Sequence, residues 1–180
     1  AEYCAQFVQE YSLVVIPLHT LLKKGVKYEW NEEQFKAFEK IKELIVNVPA
    51  LAPFSHNHTC IITVDASMNG LGAILSQNTT RKKSHTVAFA SKALLPHETR
   101  YSTIEREALA CSWAVEKFKI YIWGHHFELE TDHKPLVNIM KTGGMGKASS
   151  RLVRMVSKLQ ELHIPGKDNY RADCFVENVD

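Results

Sequence analysis

Four acidic residues stand where strand or helix signals meet turn signals, and they are the residues whose type and placement suggest chemistry. Asp65 closes a β-branched run over 60–64, Glu107 falls in the first turns of a long helical stretch, Asp132 closes an alternating strand, and Asp173 opens a final short helix. At about 100° per residue, Cys111, Ala114 and Phe118 fall within roughly 40° of Glu107, with Ile104, Val115 and Ile122 beside them. Glu107 therefore continues the apolar stripe that should face a sheet. Glu105 falls about 160° away, with Ser112 and Glu116, and is expected on the polar side. A carboxylate aimed at a core needs a partner, because an uncompensated buried charge is costly. A metal ion is one such partner; a neighbouring Lys or Arg is the other. Asp65 also reads as an ordinary turn-starting aspartate, and Asp132 shares its strand face with Glu128 and Glu130 and so reads equally as solvated. Spacing alone does not bring the four together. His133, beside Asp132, reads as a cap for the following helix rather than as a ligand.

The elements that must position these residues follow from periodicity and turn chemistry. Residues 1–53 read as helical, with Asn31 and Gln34 placed as a capping box and Phe35, Phe38, Ile41 and Ile45 at helical spacing. Pro49 and Pro53 mark a linker. Residues 60–64, 71–77 and 85–90 read as three strands, the first pair joined by the turn signal Met68-Asn69-Gly70. A helix is expected from Ser102 to about Ile122, ended by Gly124. Phe127, Leu129 and Thr131 alternate with acidic residues as a fourth strand, a short helix follows Pro135, and a basic helix runs from Ser149 or Ser150 to about Glu161. Three strands, a helix, a strand and further helices make a mixed α/β layer. The division expected is a helical segment over 1–53 and an α/β domain over 54–180.

Composition is that of a globular chain, 45% hydrophobic and 23% charged over 180 residues. The stretch has no basic, apolar leader and no run long enough to span a bilayer, so an intracellular location, cytoplasmic or nuclear, is expected, with no membrane partner. Cys4, Cys60, Cys111 and Cys174 are far apart and form no metal-binding pair; reduced, buried thiols are expected. Between Lys134 and Arg171 stand eight basic residues against Glu161 and Asp168, a net charge of +6. That suits a phosphate backbone or, equally, a solvated helix face.

At these residues a resemblance emerges. "TVDASMNGLGAILSQ", "FASKALLPHETRYSTIEREALACSWAVEKFKIYIWGHHFELETDHKPL" and "IPGKDNYRADC" resemble, in this order, the ribonuclease H domain of Gypsy-class retrotransposon polyproteins. "PLHTLLKKGVKYEWNEEQFKAFEKIKELIVNVPALAPF" is similar to the end of the preceding reverse transcriptase region. The resemblance implies a ribonuclease H-like fold, a five-stranded mixed sheet with helices on both faces. It implies an endonuclease that cuts the RNA strand of an RNA–DNA hybrid, with the polymerase part of a reverse transcriptase as a further partner. Its catalytic and metal-ligating carboxylates map onto Asp65, Glu107, Asp132 and Asp173, and its cofactor is a pair of Mg²⁺ ions, or Mn²⁺. Carboxylates suit that hard cation, and RNA selectivity would rest on the 2′-hydroxyl. Arg151, Arg154 and Lys158, at i, i+3 and i+7, are the expected nucleic-acid contacts.

Two departures qualify this. The chain has no polymerase motif. Only Leu162, His163 and Ile164 separate the basic helix from the PGK turn, where the family has a full fifth strand. The expectation is therefore that Asp65, Glu107 and Asp132 cluster, that Asp173 is displaced or mobile, and that activity is reduced. The alternative is an inactive nucleic-acid-binding or structural module derived from a retrotransposon.

Overall fold

The computed structural model describes residues 11–46, 51–78, 84–142, 148–161 and 176–177. The chain opens with two short helices, α1 (Tyr11–Val14) and α2 (Ile16–Thr20), and a longer one, α3 (Glu32–Val46). Strands β1 (Thr59–Ala66), β2 (Gly70–Asn78) and β3 (Ser84–Ala93) follow. Then come α4 (Thr103–Lys117), α5 (Lys119–Ile122), β4 (Phe127–Thr131), α6 (Lys134–Thr142), α7 (Ser150–Glu161) and β5 (Val176–Glu177). The strands form one sheet in the order β3-β2-β1-β4-β5. β1, β2 and β3 are an antiparallel meander, whereas β4 lies parallel to β1 and β5 parallel to β4. This is the expected mixed sheet, with the expected helix covering its face.

Strand alternation assigns the two faces. Cys60, Ile62 and Val64 of β1 and Leu71, Ala73 and Leu75 of β2 join Ala108, Cys111, Ala114 and Val115 of α4 in the main core. α6 and α7 extend that layer through Leu136, Val137, Leu152 and Val156. Cys60 and Cys111 are buried there as thiols, and burial pushes the Cys60 thiol up from its ordinary value.

The other face is met by α1. The Ser12 amide donates to Ser91 Oγ at 2.9 Å, and a Cβ placed on Gly70 would lie 2.6 Å from Leu13 Cδ2. Gly70 is thus required by a close approach rather than by backbone conformation. Helices therefore flank both faces, and the N-terminal segment supplies one of them.

Two local expectations are corrected. The Asn31 amide donates to Gln34 Oε1 at 3.1 Å, as the capping motif suggests, but α3 turns a different face inward. Gln34, Ala37 and Ile41 are buried, while Phe35 and Phe38 are 54% and 44% exposed. Ile41, with Leu44 beside it, packs against Tyr11, Val15 and Leu18 of the first two helices and their junction, and the bulkier aromatics are left outside, where Trp30 meets Phe38 edge-on. The long helix after Ser102 is also broken at Phe118, whose backbone leaves helical geometry (φ −95°, ψ 9°) before α5 continues to Ile122. Gly124, at φ +78°, then turns the chain into β4.

Candidate active site

β1 and β4 run side by side in register, Thr63 opposite Glu130. The Thr63 hydroxyl donates to Glu130 Oε2 at 2.9 Å. Two residues further on, at the same edge of the sheet, each strand delivers an aspartate, Asp65 and Asp132. Both are exposed. Asp65 shares strand parity with Thr63, on the side away from α4, and lines a cleft of about 80 Å³ with Leu13, Ser67, Gly70 and Gly72. Ser67 shapes the adjoining turn, since its Oγ donates to the Gly70 carbonyl at 3.0 Å and accepts the Gly70 amide at 2.9 Å.

Glu107 arrives from the opposite layer, on α4. It is 5% exposed, and its Oε2 is buried without a hydrogen-bond partner. Burial pushes its carboxyl up from the ordinary 4.5 to about 7, and the charges of Asp132 and Asp65 push the same way against the opposing Arg106. The three expected carboxylates thus share one electrostatic neighbourhood, and the Arg106 charge does not offset burial and the two aspartates there. An orphaned carboxylate oxygen between two like charges is a donor set that fits a hard divalent cation. Among the described residues, no three Asp, Glu, His or Cys side chains are already drawn together as an ion's ligands. That agrees with their origin on two sides of the sheet edge.

Asp173 lies outside the described residues, and so do Leu162, His163 and Ile164 and the helix expected near Asn169. The strand that pairs with β4 on its far side is Val176–Glu177, from the tail beyond Asp173. Residues 162–164, expected to supply a fifth strand, are not among those described.

The expected solvent exposure of Glu105 is wrong. It is 9% exposed, and donors surround both of its carboxylate oxygens. Its Oε2 accepts the Ser102 amide and hydroxyl, both at 3.0 Å. Its Oε1 accepts the Ser149 hydroxyl at 2.7 Å and the Arg151 guanidinium at 3.3 Å. These donors hold its carboxyl below the ordinary range, the Ser149 hydrogen bond first among them. Ser112, expected on the same polar side, is buried too. The cause is α7, which packs against this side of α4 from more than 40 residues away in sequence.

The basic helix is accordingly divided. Arg151 faces Glu105 and lies over the Tyr101 ring, 4.1 Å from its centroid. Lys158 pairs with Glu116 at 3.7 Å, both half-exposed. Arg154 is exposed. Lys147, Lys167 and Arg171 of the basic stretch lie outside the described residues. His133 is a helix cap, as expected: its Nδ1 accepts the Leu136 amide at 3.2 Å at the start of α6.

Comparison with known proteins gives a consistent picture. Residues 30–129 match the family model described as "RNase H-like domain found in reverse transcriptase". The chain is 35% identical over 177 residues to the retrovirus-related Pol polyprotein from transposon 412 of Drosophila melanogaster, covering 96% of the chain and 14% of the polyprotein. It is 30% identical over 185 residues to the transposon Tf2-3 polyprotein of Schizosaccharomyces pombe, covering 99% and 14%. It therefore spans about a seventh of the length of these relatives. Among solved structures, a foamy viral protease-reverse transcriptase in complex with RNA/DNA hybrid superposes with a TM-score of 0.71 at 19% identity, over 99% of this chain and 25% of that one. The same enzyme in complex with dsDNA gives 0.72 at 17%, over 91% and 34%. These likenesses establish the fold.

Proposed function

We propose, from the premise that this chain belongs to the family of RNase H-like domains found in reverse transcriptase, that it is a metal-dependent endonuclease acting on the RNA strand of RNA–DNA hybrids. The observation that carries this reading is the orphaned Oε2 of Glu107, buried in the shared field of Asp65 and Asp132 at the ends of two adjacent parallel strands. Asp65, Glu107 and Asp132 would hold Mg²⁺ or Mn²⁺, with Asp173 as a fourth ligand from the tail. The bound cations supply Lewis acidity toward the phosphate and an activated water. The chain itself contributes ligand charge, the paired strands that fix the spacing of Asp65 and Asp132, and cations on α7 for the phosphate backbone. The nuclease unit is taken as residues 54–180, and 1–53 as the helical end of the preceding polymerase region, with α1 lent to the sheet. The polymerase part of such a polyprotein is the natural intramolecular partner. Among the described residues no helix is long and apolar enough to cross a membrane.

A second reading, an inactive nucleic-acid-binding module, is favoured by one observation: the three carboxylates are not drawn together as a ready ligand set among the described residues. One assay separates the two. The chain is incubated with a hybrid carrying a label on each strand, in Mg²⁺, in Mn²⁺ and in chelator. Metal-dependent loss of the RNA strand alone supports the nuclease. Binding without cleavage in either metal supports the module.

A further inference from the structure

α4 carries two buried carboxylates two residues apart and therefore on opposite sides of the helix. Glu107 faces the sheet edge. Glu105 faces α7 and joins the N-termini of two helices. Ser102, the N-cap of α4, gives it an amide and a hydroxyl. Ser149, whose Oγ also accepts the Leu152 amide at 3.2 Å in the first turn of α7, gives it a hydroxyl. Arg151 adds a guanidinium over the ring of Tyr101, the residue just before the cap of α4. A single acceptor-only group thus meets donors from both helix starts.

We propose that Glu105 is a positioning residue of the site, which locks α7 onto α4 so that Glu107 and the cations of α7 hold a fixed mutual placement. This rests on the nuclease reading for its catalytic consequence, though not for its structural one. On this view Arg151 is part of the lock rather than a phosphate contact, and Arg154 is the cation of the expected trio left to meet nucleic acid.

The chemistry of the cluster makes a sharp demand. A carboxylate accepts on both oxygens, whereas glutamine must turn an NH₂ toward one pair of donors. The Ser102 amide and the Arg151 guanidinium can only donate, so either orientation of a glutamine sets donor against donor. Glu105→Gln, conservative at an exposed position, is therefore disruptive here.

The test uses Glu105→Gln, Ser149→Ala and Ser149→Thr in the whole chain, with two readouts. The first is hydrogen exchange of the Leu152 and Val153 amides, which needs no activity. The second is the Mg²⁺ concentration for half-maximal hybrid cleavage, with kcat and KM. Glu105→Gln and Ser149→Ala should raise exchange about tenfold or more, raise the Mg²⁺ requirement several-fold and lower kcat. Ser149→Thr, which keeps the hydroxyl, should stay close to wild type in both. Unchanged exchange in Glu105→Gln and Ser149→Ala overturns the lock. Faster exchange with unaltered Mg²⁺ requirement and kcat overturns the positioning role and leaves a structural one. A wild-type chain that does not cleave fails the nuclease reading, while the exchange data still judge the lock.

Discussion

The Thr63 hydroxyl donates a 2.9 Å hydrogen bond to Glu130 across the parallel pair β1 and β4, two residues before Asp65 on one strand and Asp132 on the other. The spacing of the two aspartates is thus set by a side-chain bond as well as by the backbone ladder. Replacing Thr63 by Val keeps shape and strand preference but removes the donor. The expected cost is about 1 kcal/mol of stability, read by denaturant midpoint. A several-fold higher Mg²⁺ requirement for cleavage should accompany it, because the ligand spacing loosens. Unaltered metal dependence would show that the ladder alone fixes the aspartates.

Glu107 makes stability depend on pH in a defined direction. Its carboxyl titrates near 7 in the fold and near 4.5 ordinarily, so between those values the folded state binds more proton than the unfolded chain. The folded, metal-free protein is favoured below pH 4.5 and loses that advantage as pH rises through 7. Glu107→Gln should remove this component and be the more stable protein at pH 7.5 without metal, by on the order of 1–3 kcal/mol. Denaturation of both proteins across pH 4.5–8 checks this; parallel curves would contradict it. Divalent metal should reverse the ranking, since it supplies the charge that the carboxylate lacks.

Gly70 lies under Leu13 and against the Lys92 carbonyl. A Cβ there would stand 2.6 Å from Leu13 Cδ2 and 2.9 Å from that backbone oxygen. Gly70→Ala should destabilise by about 1–3 kcal/mol. Leu13→Ala in the same chain should restore only part of this, because the carbonyl cannot move aside as a side chain can. Full restoration would mean that Leu13 is the sole obstruction.

The salt response of hybrid binding should sort the cations of α7. Arg154→Ala is expected to lower the slope of log K against log salt by about one. Lys158→Ala should change it less, because that ammonium already faces Glu116. Equal effects would make the helix a uniformly solvated, phosphate-facing surface.

Much of this was legible in the sequence, and the exceptions share a cause. Alternation at Phe127, Leu129 and Thr131 places β4 to within one residue, and the helical wheel aims Glu107 at the sheet, because both patterns are local consequences of backbone period. Glu105 was misjudged for the complementary reason. Its local pattern is that of an exposed glutamate, and what buries it comes from Ser149 and Arg151, far along the chain. The inward face of α3 was misread likewise. Phe35 and Phe38 are the more apolar residues, but of the expected stripe it is Ile41 that packs with Tyr11 and Val15, backed by Leu44 from outside the stripe. Arg151 and Lys158 show the limit of charge counting, since a +6 stretch does not say which cations are already engaged. Among the described residues the segment paired with β4 on this side is Val176–Glu177, beyond Asp173, where no alternating apolar pattern marks a strand.

The central claim is that Asp65, Glu107 and Asp132 act together as the ligands of catalytic metal. The most direct measurement is hybrid cleavage by Asp65→Asn and Asp132→Asn, each of which removes ligand charge and almost no volume, with circular dichroism to verify that the fold persists. Both variants should lose RNA-strand cleavage by at least a hundredfold in Mg²⁺ while binding hybrid as the wild type does. Full cleavage by either variant, or by the wild type in chelator, would contradict the account.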